Sequence, residues 1–213
     1  MRRLSLNISH LQITLSLCTI TVKKYRERNS FNTDVKGKGK FAEDDFIKYF
    51  NSNPKNSSKK LYDVRDVHEY QKKDIDFVID NLGEGVLPDI NTVFANPERF
   101  KKIEVKYNGP ALKTGRYAYE VISHGRPGWA AISECDFVYT VFGEQIGNSY
   151  RVVKRGIIFF KRWKKYIEDN KNNPELLSDY KPKVYSMRNE EENILNYLTQ
   201  LEDMEKERIF RYM

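Results

Sequence analysis

The chain has 213 residues, 39% of them hydrophobic, which suits one buried core with extensions better than two separate domains. A net charge of +7 and a pI near 9.2 point to a polyanionic partner. Two cysteines, Cys18 and Cys135, exclude a disulfide framework, no Cys-x-x-Cys is present to bind zinc, and His10, His68 and His124 lack a paired ligand spacing, so a reducing cytoplasm is the default setting.

Met1-Arg2-Arg3 followed by an apolar-leaning stretch to Val22 has the outline of a secretory signal. Leu11, Ile13, Leu15 and Leu17 alternate with Gln12, Thr14 and Ser16, however, which predicts a strand, and no small-x-small cleavage site follows. Asn, His and Gln interrupt the stretch well short of the ~20 apolar residues a membrane span needs. Residues 23–40 are basic and read as a linker or arm. Gly37-Lys38-Gly39-Lys40 within them lacks the spacing of a phosphate-binding loop.

A helix is predicted over 41–50, with Ala42, Phe46 and Phe50 on one stripe and Glu43 at its border. Taken alone, Glu43 is an exposed first-turn acid favoured by the helix dipole. A loop over 51–60 and strands over 61–67, 74–80 and 101–107 follow, the last two joined by a Gly, Pro and Asn-containing connection.

Acid-x-Lys triplets at Asp34, Asp169 and Asp179 sit among Gly, Asn and Pro. Glu104-Val105-Lys106 instead lies in an alternating run, Ile103 to Tyr107, so Glu104 and Lys106 project from one face of a strand. An aspartate from the neighbouring strand completes an oxygen-rich pocket suited to Mg²⁺, which takes one or two carboxylates and keeps several waters. Asp76 is favoured, because Phe77, Val78 and Ile79 then carry the strand inward; Asp74, two residues earlier on the same predicted face, is the alternative.

Further strands are predicted over 117–123 and 136–142, with a turn or short helix over 127–134. Ala118, Glu120 and Ile122 would share a face, and a carboxylate there needs a partner such as a metal or Lys106. From Arg151 to Lys165 there are seven basic residues and no acidic one. Gly156 to Phe160 reads as a buried strand running into an amphipathic helix with Trp163, Tyr166 and Ile167 inward. Lys154, Arg155, Lys161, Arg162, Lys164 and Lys165 are candidate phosphate contacts. A terminal helix over 190–212 is predicted from Ile194, Leu198 and Leu201, with Glu190, Glu191 and Glu192 at its N-terminus.

The triplet and its surroundings resemble the PD-(D/E)XK nuclease superfamily over roughly residues 41–142. Phage-type members are resembled in Thr114-Gly115-Arg116-Tyr117-Ala118-Tyr119-Glu120, in Gly125-Arg126-Pro127-Gly128-Trp129 and in Cys135-Asp136-Phe137-Val138-Tyr139. The proline usual before the first acid is absent, since Ile75 precedes Asp76. The resemblance implies an α/β (α+β) fold: a restriction-endonuclease-like mixed sheet flanked by helices over 41–167, preceded by an arm over 1–40 and followed by a C-terminal helical extension over 168–213 packed on the same domain. It further implies an endonuclease hydrolysing DNA phosphodiester bonds with Mg²⁺, for which Mn²⁺ substitutes, in the cytoplasm of a bacterial or phage-infected cell. Asp76, Glu104 and the Val105 carbonyl would hold the metal, Glu43 and Glu120 would be accessory ligands, and Lys106 would orient or deprotonate the attacking water. DNA is the expected partner and a membrane is not; a homodimer stays open. The alternative is a protein of this fold that binds nucleic acid or a partner without cutting.

Overall fold

The computed structural model of the chain describes residues 29–171 and 184–213. The chain divides into two compact units, Met1–Lys36 and Gly37–Met213, and every site residue considered below belongs to the second. The strand predicted around Leu11 to Leu17, together with His10 and Cys18, lies outside the described residues.

The fold is mixed α+β, with a mixed sheet flanked by helices. Strands β1 (Lys60–Asp63), β2 (Phe77–Asp80) and β3 (Phe100–Tyr107) form an antiparallel meander, with the short helices α2 (His68–Gln71) and α3 (Ile90–Ala95) in its two connections. Strand β6 (Phe137–Ile146) runs parallel to β3, pairs with β7 (Ser149–Phe159), and β10 (Phe210–Tyr212) closes the far edge. The order is β1-β2-β3-β6-β7-β10. A parallel neighbour requires a crossover. Here it contains α4 (Gly109–Thr114), β4 (Arg116–Ser123), β5 (Arg126–Pro127) and α5 (Trp129–Ile132). A second sheet, in the order β5-β4-β9-β8, includes β8 (Val184–Asn189) and β9 (Ile194–Gln200).

Helix α1 (Asn29–Ser52) starts well before the predicted Phe41, so residues 29–40 are helical rather than a linker. The predicted stripe is the packed one: Ala42, Phe46 and Phe50 are buried, and Ala42 and Phe46 cluster with Phe77, Ile103, Val105 and Tyr139. Asp45 pins the helix to the sheet by accepting hydrogen bonds from Tyr139 Oη at 2.9 Å and from Arg155 Nε and Nη2 at 2.9 and 2.7 Å. The odd-numbered residues of β3 therefore face α1. The even-numbered ones face the larger core, where Trp163 of α6 (Phe160–Asn170) packs edge-on to Tyr117 and Tyr119 and donates from Nε1 to Thr199 Oγ1. Trp163, Tyr166 and Ile167 are buried, in line with the amphipathic helix predicted there.

Three boundaries or elements differ from the sequence prediction. The strand predicted over 61–67 ends at Asp63. The strand predicted to start at Asp74 starts at Phe77, because Asp74 turns through φ +51° and leaves the ladder. The predicted terminal helix is instead a hairpin of β8 and β9, then α7 (Leu201–Lys206) and β10. Asn193 sits at φ +48° in the hairpin turn, which no continuous right-handed helix accommodates, and pairing of β9 with β4 over six residue pairs decides the rest. Among the described residues of 184–213, strand therefore outweighs helix. No helix among the described residues is long and apolar enough to cross a membrane.

Candidate metal and phosphate site

Phe77 of β2 stands opposite Ile103 of β3, so Asp76, one step past the end of the ladder, lies beside Glu104, while Asp74, which has left the ladder, reaches Lys106 with its side chain. The hydrogen bonds agree with this placement. Asp76 donates its N–H to the Ile103 carbonyl at 2.9 Å, while its Oδ2 accepts the Val105 N–H at 2.9 Å. A carboxylate oxygen thus receives a backbone donor at the point where β2 gives way to a turn. Val105 itself points its side chain into the core under α1.

Glu104 is 2% exposed and contacts Lys106 Nζ through Oε1. Its Oε2 is buried with no hydrogen-bond partner, as is Asp74 Oδ2, which stands 3.6 Å from Lys106 Nζ. The site opens to solvent through Lys106 and Asp74, whose side chains are 28% and 21% exposed. The ammonium lies over the Trp129 ring, with Nζ 4.9 Å from the ring centre.

Three carboxylates thus gather around one ammonium, and their protonation reflects the crowding. Burial pushes Glu104 well above the ordinary carboxylate range, helped by the charges of Asp76 and Asp74 and opposed by Lys106. Burial also lifts Asp76 to about 6, against the pull of the Val105 N–H and Lys106, with Glu43 and Asp74 adding to the rise. Asp74 is raised by burial and held back by Lys106 and by its contact with the Glu104 side chain. Burial works against the charge of Lys106, but Glu104 and Asp74 outweigh it, and the lysine lies above its ordinary value. An ammonium so held is charged at neutral pH. The arrangement thus favours a positioned cation over the general base that sequence considerations had allowed.

The donor set is all hard oxygen, its carboxylates outnumber its one ammonium, and two buried carboxylate oxygens, Glu104 Oε2 and Asp74 Oδ2, have no hydrogen bond. Those properties fit a hard divalent cation. Among the described residues no three His, Cys, Asp or Glu side chains form a ready cage. Mg²⁺ needs none, since it keeps most of its waters.

The other predicted residues fall elsewhere. Glu43 is paired with Arg65 Nη1, and Arg65 also holds Asp63 through Nε at 2.8 Å, so Glu43 reaches the site only through its charge on Asp76. Glu120 lies on the face of β4 opposite to the buried Tyr117 and Tyr119, half-buried against Gly128, where a Cβ would come within 2.7 Å of its Cγ. The two tyrosine rings take the core face, and Glu120 does not join Glu104 and Lys106.

Most of the predicted phosphate contacts already have partners. Arg155 is bound to Asp45, Lys161 to Asp136 at 3.3 Å and Lys165 to Asp169 at 2.8 Å. Lys154 lies over the Tyr212 ring, and Arg162 donates to the Arg208 carbonyl. Lys164 is exposed on α6. Arg65 and Trp129 were not singled out as site neighbours in the sequence. Arg65 meets Glu43 across 22 residues of chain with no local pattern to announce it, and the only hint of Trp129 was its place in the Gly-Arg-Pro-Gly-Trp segment. Comparison of the chain with protein-family models, curated proteins and solved structures finds no match.

Proposed function

We propose that the chain is a metal-dependent nuclease that hydrolyses phosphodiester bonds in DNA, with Asp76 and Glu104 holding Mg²⁺ and Lys106 acting as the fixed cation beside it. The observation that carries this reading is Glu104: buried, with one carboxylate oxygen unpaired, set between Asp76 on the adjoining segment and Lys106 on its own strand. A mixed sheet flanked by helices, with the acid at the start of β2 and Glu104-Val105-Lys106 within β3, supports the PD-(D/E)XK resemblance. The net charge of +7 suits a polyanionic substrate.

The role of each residue follows from its surroundings. Bound Mg²⁺ would supply Lewis acidity toward a phosphate oxygen and a water of lowered pKa. Asp76, anchored by the Val105 N–H, presents its other oxygen from a fixed position. Glu104 shares its charge between the metal side and Lys106. Lys106 remains protonated, so it would donate hydrogen bonds to the attacking water or to a phosphate oxygen and offset the negative charge that grows there, while the proton lost by that water passes to solvent. Val105 contributes its backbone; Glu43 adjusts the field at Asp76 through its charge.

The test is incubation of purified protein with end-labelled duplex, branched and single-stranded DNA in Mg²⁺, Mn²⁺ or EDTA, beside Glu104→Ala and Lys106→Ala. Cutting that needs the metal and disappears in both variants is the expected result. DNA binding without cutting under every condition would instead favour a non-cutting binding protein.

A further inference from the structure

The ammonium of Lys106 has neighbours from three segments of chain. Glu104 lies two residues back on β3, Asp74 Oδ2 approaches to 3.6 Å from the turn before β2, and the Trp129 ring lies at 4.9 Å from α5. Under the proposed function Glu104 must serve two cations at once, and its hold on Lys106 weakens when it does. Lys106 would then move away from the site unless something else retains it, since a lysine stem has four flexible torsions whose rotamer entropy it regains on release.

Asp74 and Trp129 are placed to retain it, and both are fixed by the same short piece of chain. Ser133 donates from Oγ to the Asp74 carbonyl at 3.3 Å, and its N–H closes α5 onto the Trp129 carbonyl at 2.9 Å. The backbone of Asp74 sits at φ +51°, a conformation that aspartate and asparagine tolerate better than most residues. Asp76 differs in kind, because its carboxylate is bound to the Val105 N–H and lies beside Glu104. Glu104 Oε2 is buried without a hydrogen bond, and Asp74 Oδ2, likewise without one, stands 3.6 Å from the ammonium.

We propose that Asp74, supported by Trp129, is a positioning residue for Lys106: it keeps the ammonium in the site when Glu104 engages a divalent cation, and it is not itself a ligand. This deepens the nuclease reading and rests on it for the identity of that cation.

The experiment uses the full chain. Glu104→Gln imitates a Glu104 whose charge is engaged elsewhere, and Asp74→Asn removes the anchor while keeping a side chain that accepts the turn. Labelling of Lys106 by acetic anhydride, read by mass spectrometry, is expected to change less than about twofold in Glu104→Gln and to rise about fivefold or more when Asp74→Asn is added, as loss of one charge-assisted contact predicts. Mn²⁺ binding followed by paramagnetic resonance should weaken less than about fivefold in Asp74→Asn, the long-range effect of one lost charge, and about thirtyfold or more in Asp76→Asn. On DNA, Asp74→Asn should lower kcat about tenfold with KM within about twofold, and Trp129→Phe, which keeps a ring, should lower it less. Unchanged Lys106 labelling on adding Asp74→Asn overturns the assignment, as does a loss of Mn²⁺ binding equal to that of Asp76→Asn. Wild-type protein that binds no Mn²⁺ and cuts no DNA removes the nuclease reading instead, and the labelling still decides whether Asp74 holds Lys106.

Discussion

Lys102 and Lys106 project from the same face of the same strand, and each lies against carboxylates, yet their surroundings differ. Lys102 is 3% exposed and meets Asp136 Oδ2 at 2.8 Å, and that oxygen also accepts the Lys102 N–H at 3.0 Å. The other oxygen of Asp136 faces Lys161 at 3.3 Å. Cation and anion are matched there, and each carboxylate oxygen of Asp136 has a partner. At Lys106, four positions along the strand, three carboxylates surround one ammonium and two buried oxygens have no hydrogen bond. A charge pair that holds a strand in place is closed in this way, whereas one that leaves charge and lone pairs unmatched is open to a further ligand.

Substitutions at the two lysine sites should therefore separate activity from stability. The largest effect is expected from Lys106→Ala and Glu104→Gln on cleavage, about 10³-fold, comparable to removing a preorganised charge from a transition state. Single-turnover rates would measure it, and the melting temperature should fall little in Glu104→Gln, which keeps the side-chain shape, and more in Lys106→Ala, which leaves Glu104 buried without its cation. Asp136→Ala should do the reverse. It leaves the Lys102 ammonium buried without its partner and should cost about 3 kcal/mol in urea denaturation.

The pH dependence of stability gives the next largest contrast. Asp76 binds its proton more tightly in the folded chain, at about 6, than in the unfolded chain, at about 3.9. Between those values the native state holds more protons than the unfolded state, so stability contributed by this group falls as pH rises from about 4 to about 6. Asp80 behaves oppositely. The Arg99 hydrogen bonds hold its carboxyl below the ordinary range, so its contribution is present above the unfolded value and is lost as pH falls through the lowered one. Denaturation midpoints measured from pH 3 to pH 8 should therefore fall less steeply between pH 4 and 6 in Asp76→Asn, with Glu104 and Asp74 supplying the slope that remains, and should keep the acid loss. The smallest effect belongs to Lys161→Ala, an exposed partner of Asp136, expected to change stability by less than about 0.5 kcal/mol.

Features set by local periodicity were legible in the sequence. The Ala42, Phe46 and Phe50 stripe gave the packed face of α1, and the alternation around Glu104 placed Glu104 and Lys106 on one side of β3. Features set by distant partners were not. Glu43 was assigned to the site from resemblance, but Arg65 occupies it in a contact that no short-range pattern encodes. The run from Tyr117 to Ile122 is apolar on both faces apart from Glu120, and the bulkier Tyr117 and Tyr119 took the core, which turned Glu120 outward. The spacing of Ile194, Leu198 and Leu201 suits a helix, yet β4 offered an unpaired edge and β9 filled it. Asp74 was weighed as the alternative to Asp76 on the assumption that both lay in one strand. Its left-handed turn removes that assumption and leaves it facing Lys106 by another route.

The nuclease assignment is tested most directly by the single-turnover cleavage rate of end-labelled DNA in Mg²⁺, measured for the wild type, Glu104→Gln and Asp136→Ala at a temperature where all three are folded. Metal-dependent cutting that is lost in Glu104→Gln and retained in Asp136→Ala is the predicted result. Equal rates in the wild type and Glu104→Gln, or no cutting of any DNA form by the wild type, would contradict it.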